Sequence, residues 1–278
     1  MIKFRYLFII LIFSFTKVAA QALDENKFQP DTIYRSHYVK TIYVYENSPK
    51  DLSKIIDINA DGHIVKIVDY DASYDKPSRA RKGKANTTTY VYDSNNRLIE
   101  IVDSASYSRS SDETHHTYFY YNSNNTLRAS KYYQGKDLEN QTSYTINPLK
   151  SVTTRGDDTM TFYKRTKEYE RDFYTKAFYG YSWESTLKKS YFLKGNDTVK
   201  YSYSDYKDLK KLYDSTYITN KFNSKGQITS SYVDQKFMPE ANTWRTFKAT
   251  ITYRYYKNGL LKSIEGYIPL YFKYEFYK

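Results

Sequence analysis

Apolar and polar residues alternate in short runs along most of this chain, and turn-forming residues divide the runs at close intervals. Residues 38–45, 89–92, 98–102 and 267–277 are clear instances, rich in Tyr, Val, Ile and Phe. Such runs predict strands, because β-branched and aromatic side chains suit a pleated, half-buried surface. No stretch carries the 3.6-residue apolar period of a long amphipathic helix. In the last run, Leu270, Phe272, Tyr274 and Phe276 fall on one face.

Residues 89–102 show how two runs combine. Tyr90-Val91-Tyr92 and Ile99 to Val102 flank Asp93-Ser94-Asn95-Asn96. Asp favours the first position of a type I turn, where its side chain accepts from the backbone just ahead. The fourth position then calls for positive φ, which Gly and Asn adopt at least cost. A type I turn followed by such a residue makes a bulged hairpin. In this register Arg97 faces Asp93, Leu98 faces Tyr92 and Glu100 faces Tyr90, and Val91 and Ile99 share the opposite face.

The same template fits residues 58–64, 121–127, 222–228 and 255–261. The positive-φ position is then Gly62, Asn96, Asn125, Gly226 and Gly259, always Gly or Asn. Ile67 and Ile264 take the place of Ile101. Looser units begin at Tyr144, Tyr179 and Tyr201; they carry Lys150, Ser185 and Lys207 at that position, which implies turns of another type. The spacing is irregular, unlike a strict solenoid. About 16 strands follow, each beside its neighbour in sequence. The expected fold is all-β, an antiparallel meander of stacked hairpins forming one large curled or open sheet.

Tyr92-Asp93-Ser94-Asn95-Asn96-Arg97-Leu98 resembles the YD repeat of the RHS type, which runs Tyr-Asp, two variable residues, Gly-Arg-Leu, with Asn96 standing for the Gly. The resemblance covers residues 55–267 and implies hairpin architecture. It implies no particular activity. The long RHS arrays form a shell around a toxin, whereas this chain is short and has no recognisable cargo segment. It looks more like the short exported proteins that use the same hairpin.

Residues 1–20 read as a secretory signal: Lys3 and Arg5, an apolar stretch over 6–15, and Val18-Ala19-Ala20 before a cleavage point. An apolar stretch of about 10 residues is half of what a spanning helix requires. The expected location is therefore the periplasm or cell surface after cleavage near Ala20. Residues 21–36 have little pattern and read as an N-terminal tether, and residues 37–278 as the hairpin-repeat domain. The chain has no Cys, so an exported fold gains no disulfides and no thiol chemistry is available. Without Lys3, Arg5 and Lys17 the formal charge falls from +12 to +9, with both signs interspersed. Residues 71–86 gather Lys76, Arg79, Arg81, Lys82 and Lys84 in an unpatterned loop, a feature suited to an anionic polymer or a lipid headgroup surface but also ordinary for a solvated connection.

The residue types that carry chemistry are not assembled in any catalytic motif. There is no nucleophile elbow, phosphate loop or HExxH. Asp57 to Gly62 resembles the start of a calcium loop, yet Val68 stands where the bidentate Glu is needed. His115 and His116 are adjacent, so a regular strand sends them to opposite faces and away from a shared metal. The reading is therefore of a non-catalytic binding or structural protein without cofactor or metal. No nucleic-acid partner is expected. The 35 Tyr direct attention to sheet faces and edges that stack on a glycan or hold an extended peptide, with Tyr118, Tyr120, Tyr253 and Tyr255 as candidates. Two alternatives remain. An outer-membrane β-barrel fits the aromatic content but not charges on both parities of the strands. A secreted hydrolase would need acidic residues brought together from distant positions.

Overall fold

The computed structural model describes residues 28–70, 85–105, 113–146, 149–155, 158–166, 170–178, 183–192, 198–205, 212–240 and 243–278. The signal segment 1–20, residues 21–27 of the stretch read as a tether, and residues 71–84 of the basic loop lie outside the described residues.

Among the described residues one helix, α1 (Asp31–Ser36), precedes the sheet. The first strands are β1 (Val39–Glu46), β2 (Leu52–Ile58), β3 (Ile64–Tyr70), β4 (Ala85–Tyr92), β5 (Leu98–Ala105) and β6 (Glu113–Tyr121). Next come β7 (Leu127–Gln134), β8 (Asp137–Ile146), β9 (Leu149–Arg155), β10 (Asp158–Thr166), β11 (Glu170–Phe178) and β12 (Trp183–Phe192). The last are β13 (Thr198–Asp205), β14 (Leu212–Phe222), β15 (Ile228–Glu240), β16 (Thr243–Tyr255), β17 (Leu261–Glu265) and β18 (Leu270–Phe276). All pair antiparallel with their neighbours in sequence, in one 18-stranded sheet. The meander is therefore as expected, with two strands more than the turn spacing indicated. It takes the curled form rather than the open one: β18 returns to β1, with Val44 opposite Phe272 and Ile42 opposite Tyr274. The pairings run full circle, so no described strand is left with a single neighbour, and the outer edge that would hold a peptide along a whole strand is taken up.

The five template turns have the predicted backbone. Asn96 and Asn125 have φ of 57° and 63°, and Gly62, Gly226 and Gly259 have 88°, 73° and 93°. In the 93–97 turn Asn96 N donates to Asp93 O and Asp93 N to Arg97 O. The Asp93 carboxylate accepts from Asn95 N and Arg97 N and pairs with the Arg97 guanidinium. These bonds, led by the one from the Arg97 side chain, hold its pKa below the ordinary carboxylate value. Asn59 and Asn223 bridge their turns in the same way through Oδ1.

The register differs from the simple template by one residue. Tyr92 does face Leu98, but Tyr90 faces Ile101 and Val91 faces Glu100, because β5 carries an extra residue after Leu98. The same shift follows Ile58–Ile64, Tyr121–Leu127, Phe222–Ile228 and Tyr255–Leu261. The bulge lets Leu98 and Ile101, three residues apart, face the same side. Two of the looser units are not turns where the template put them. Lys150 stands in β9 opposite Thr145 and Tyr163, and Ser185 in β12 opposite Lys176 and Asp205; Lys207 lies outside the described residues.

Followed round the ring, one strand face carries Ile42, Val44, Ile56, Ile67, Tyr90, Ile101, Tyr253 and Phe272. This face holds most of the buried cluster, which α1 completes through Tyr34. It is the inner face. The stretch read as a tether is thus corrected in its described part: Tyr34 is 1% exposed. Around the helix, Gln29 Nε2 donates to Gly259 O, Gln29 Oε1 accepts from Leu261 N, and His63 Nδ1 lies 3.3 Å from Asp31 Oδ2. The short polar segment gave no period to read, yet it seals the end of the ring where the template turns lie. Farther from the helix the inner face turns polar, with Lys54 paired to Asp69 and Thr88 donating to Asp103.

Adjacent hairpins are stapled by a repeated tyrosine. Tyr92 Oη donates to Ile64 O, Tyr121 Oη to Leu98 O and Tyr255 Oη to Ile228 O. Each hydroxyl comes from the residue before a turn and reaches the first strand residue after the preceding template turn. Burial raises the pKa of all three hydroxyls, so they stay protonated donors. Tyr92→Phe, Tyr121→Phe and Tyr255→Phe are each expected to cost about 1 kcal/mol, because each leaves a carbonyl short of its partner. Urea unfolding of the three variants measures this, and no loss in any of them would remove the staple.

Candidate functional site

The opposite face of the strands points outward and is mixed: charged residues stand among apolar ones such as Ile55, Val68, Val91 and Val102. Lys66, Glu100, His116, Lys131, Asp234, Lys248 and Arg254 all belong to it by register. They lie within strands rather than only at their ends. Aromatic residues recur on this face, with Tyr45 opposite Tyr271 at the β1–β18 seam and two further groups on β5–β7 and β14–β16.

The first lies on β5–β7. Tyr118 pairs with Glu100 and Lys131, and Tyr120 with Ala129. The Tyr118 ring stacks on His116 at 5.8 Å and meets Tyr133 edge-on at 5.8 Å. His116 Nδ1 is 2.8 Å from Glu100 Oε1. Loss of hydration, then the Glu100 carboxylate, raises the Tyr118 hydroxyl pKa. Lys131 Nζ lies 5.8 Å from the Tyr120 ring centroid. These rings largely face one another, and Tyr118 and Tyr120 are half-buried.

The second lies on β14–β16. Tyr217 is opposite Asp234, and Asp234 is opposite Lys248. Tyr232 is two residues from Asp234 on the same face, hence diagonal to Tyr217, about 7–8 Å away by strand geometry. Tyr217 and Tyr232 are each 41% exposed. Asp234 Oδ2 pairs with Lys248 Nζ at 3.0 Å. The other oxygen, Oδ1, is buried without a hydrogen-bond partner among the described residues. The strand alternation that seats these residues is Tyr217-Ile218-Thr219 and Tyr232-Val233-Asp234, where Ile218 and Val233 pair on the inner face.

The four tyrosines singled out from the sequence do not form one site. Tyr118 and Tyr120 are on the outer face, whereas Tyr253 and Tyr255 face inward and pack against the core. Tyr255 is also a staple. Tyr217 and Tyr232 were missed, because alternation marks a face without saying which face is water-exposed. The two adjacent histidines do point apart: His115 Nδ1 bonds the Tyr132 hydroxyl, while His116 meets Glu100. Asn59 to Gly62, part of the calcium-like motif, is a hairpin turn. Among the described residues no group of three or more His, Asp or Glu is placed to hold a metal ion. No described helix is long and apolar enough to cross a membrane.

Comparison with protein-family models finds no match for this chain, and comparison with curated proteins finds none. Among solved structures, the chain is similar to a porin-like protein from Bacteroides uniformis, at 11% identity and a TM-score of 0.38, over 85% of this chain and 98% of that one. A likeness of that degree identifies neither a family nor an activity.

Proposed function

We propose that this chain is an exported, non-catalytic binding protein of the periplasm or cell surface, and that Tyr217 and Tyr232 form a platform for a glycan. The observation that carries the reading is the pair of exposed rings on adjacent strands beside the Asp234–Lys248 ion pair. Tyr rings offer a flat apolar face at small entropic cost, and sugars present C–H faces to such rings. Asp234 and Lys248 supply an acceptor and a donor for sugar hydroxyls. The hairpin repeat, on this reading, is a rigid surface for the platform, consistent with the YD-type resemblance.

The charged outer face favours a ring surrounded by water over a membrane-spanning one. An Arg or Lys at the bilayer midplane costs about 2–4 kcal/mol when it faces lipid, and an Asp or Glu less; the outer face carries Lys131 and Lys248, with Glu100 and Asp234, within strands. The protein is expected in the fraction released from membranes by alkaline washing. A glycan array followed by titration tests the platform. Tyr217→Ala and Tyr232→Ala are each expected to weaken binding about tenfold or more, as loss of a stacked ring does in other recognition sites, with little dependence on salt. Unchanged affinity in both variants would sink the platform. Binding abolished by modest salt would shift attention to residues 76–84.

A further inference from the structure

One stretch of strand escapes the ring's pairing. β16 is 13 residues long and β17 is 5. β17 covers only Thr252 to Tyr255 of it. Residues 243–251 pair with β15 on one side; among the described residues no strand pairs with their other side, which is approached only at its Ile251 end, by Gly266. Residues 243–248 are all exposed. Two large rings stand in this stretch, Trp244 at 48% and Phe247 at 38% exposure. A long exposed strand edge with apolar residues is a template for another strand, because its backbone N–H and C=O groups are unpaired in one direction. Proteins commonly blunt such an edge with proline, Lys or an inward-pointing charge; residues 243–251 contain no proline, and their charges are Arg245 on the inner face and Lys248 on the outer.

We propose that this edge joins two copies of the chain, pairing residues 243–251 antiparallel about a two-fold axis at Phe247. The argument is that the sequence can pair with its own reverse around an aromatic centre without setting its basic residues directly opposite each other. With Phe247 opposite Phe247, Thr246 faces Lys248, Arg245 faces Ala249, Trp244 faces Thr250 and Thr243 faces Ile251. No two like charges come directly opposite, which is the arrangement that destabilises a strand pair. On the outer face each Lys248 lies diagonal both to Trp244 of the other copy, within reach of a cation–π contact, and to the other Lys248. On the inner face the two Phe247 rings cover each other. A two-fold contact uses the same patch on both copies and closes, so assembly stops at the dimer. The proposal does not rest on the glycan reading, since Tyr217 and Tyr232 lie two and one strands away from this edge.

The wild-type chain is tested first, without any variant, by sedimentation over a range of concentrations. The expected result is a reversible monomer–dimer equilibrium, and Phe247→Lys, which sets two ammonium groups opposite each other, shifts it to monomer. Because the chain has no Cys, Phe247→Cys tests the register directly. It is expected to form disulfide-linked dimers about tenfold faster than Leu138→Cys, since only residues on the axis bring their Cβ atoms into disulfide range. Leu138, on β8 and away from this edge, is 50% exposed and serves as the control for random encounter. A wild-type protein that stays monomeric at all concentrations overturns the proposal, as does equal cross-linking at the two positions. Monomers that bind an added extended peptide along β16 would also overturn it and make the edge a peptide site.

Discussion

Gly62→Ala is expected to destabilise the protein by about 3 kcal/mol or more, and Gly226→Ala by only about 1–2 kcal/mol. Both glycines occupy the same place in the same turn, at φ of 88° and 73°. Each therefore carries the strain that a Cβ meets in the left-handed region. The difference lies in what surrounds them. A Cβ on Gly226 meets nothing within 4 Å. A Cβ on Gly62 would fall inside contact distance of the Asp31 carbonyl, with Arg35 N also close. Those are backbone atoms of α1, so they cannot rotate aside; the helix must lift, and Tyr34 lifts with it. Urea unfolding of the two variants measures the difference. Equal losses would mean that α1 yields freely, and that its seat on the 59–63 turn contributes little.

The contrast shows which part of the fold is local. Positive φ at Gly62, Asn96, Asn125, Gly226 and Gly259 follows from four or five neighbouring residues, so a sequence displays it directly. The bulge was also written in the sequence, in a form easy to overlook. Leu98 and Ile101 are three residues apart, as are Ile64 and Ile67, and Leu261 and Ile264. A strand of period two puts such residues on opposite faces, so both reach the core only through an inserted residue. The tyrosine before the turn had the same status: its recurrence was visible, but its partner carbonyl belongs to the preceding hairpin, one bulge away in register.

The remainder depends on contacts that no local pattern encodes. Pairing of β1 with β18 joins residues more than 200 positions apart, as in Val44 opposite Phe272. Until that pairing is known, inner and outer faces are interchangeable, since both contain tyrosines. Tyr253 and Tyr118 look alike as strand residues, and the ring sends one inward and the other outward. The candidate site was illegible for this reason, and the free stretch of β16 for a related one: it depends on the difference in length between two neighbouring strands. The helix left only faint marks, Pro30 at its start, Asp31 in its first turn and Arg35 in its last. Six residues are too few for a period to emerge.

Tyr34→Ala is the variant that measures what this short helix contributes, with an expected loss of about 3–5 kcal/mol, the range for removing a buried ring. Tyr34 is among the largest fully buried side chains, beside Phe272, Ile42 and Ile56. It belongs to the cluster drawn from β1–β5 and β16–β18, strands brought together from both ends of the chain. Truncation leaves a void beneath the helix, and the β-sheet around it is too constrained by its ladders to collapse inward. The hydroxyl plays a smaller part. It accepts from Gln29 N at 2.9 Å, and burial raises its pKa, so it remains neutral throughout the ordinary pH range. Tyr34→Phe should therefore cost about 1 kcal/mol, the value of one hydrogen bond. The ratio between the two variants is the informative quantity. A loss near 1 kcal/mol for Tyr34→Ala as well would mean that the core holds without the ring, and that residues 28–36 act as a tether after all. The larger loss would make the helix a structural member that closes the ring's apolar end, and would predict that shortening the chain past Tyr34 unfolds the sheet on both sides of the β1–β18 seam.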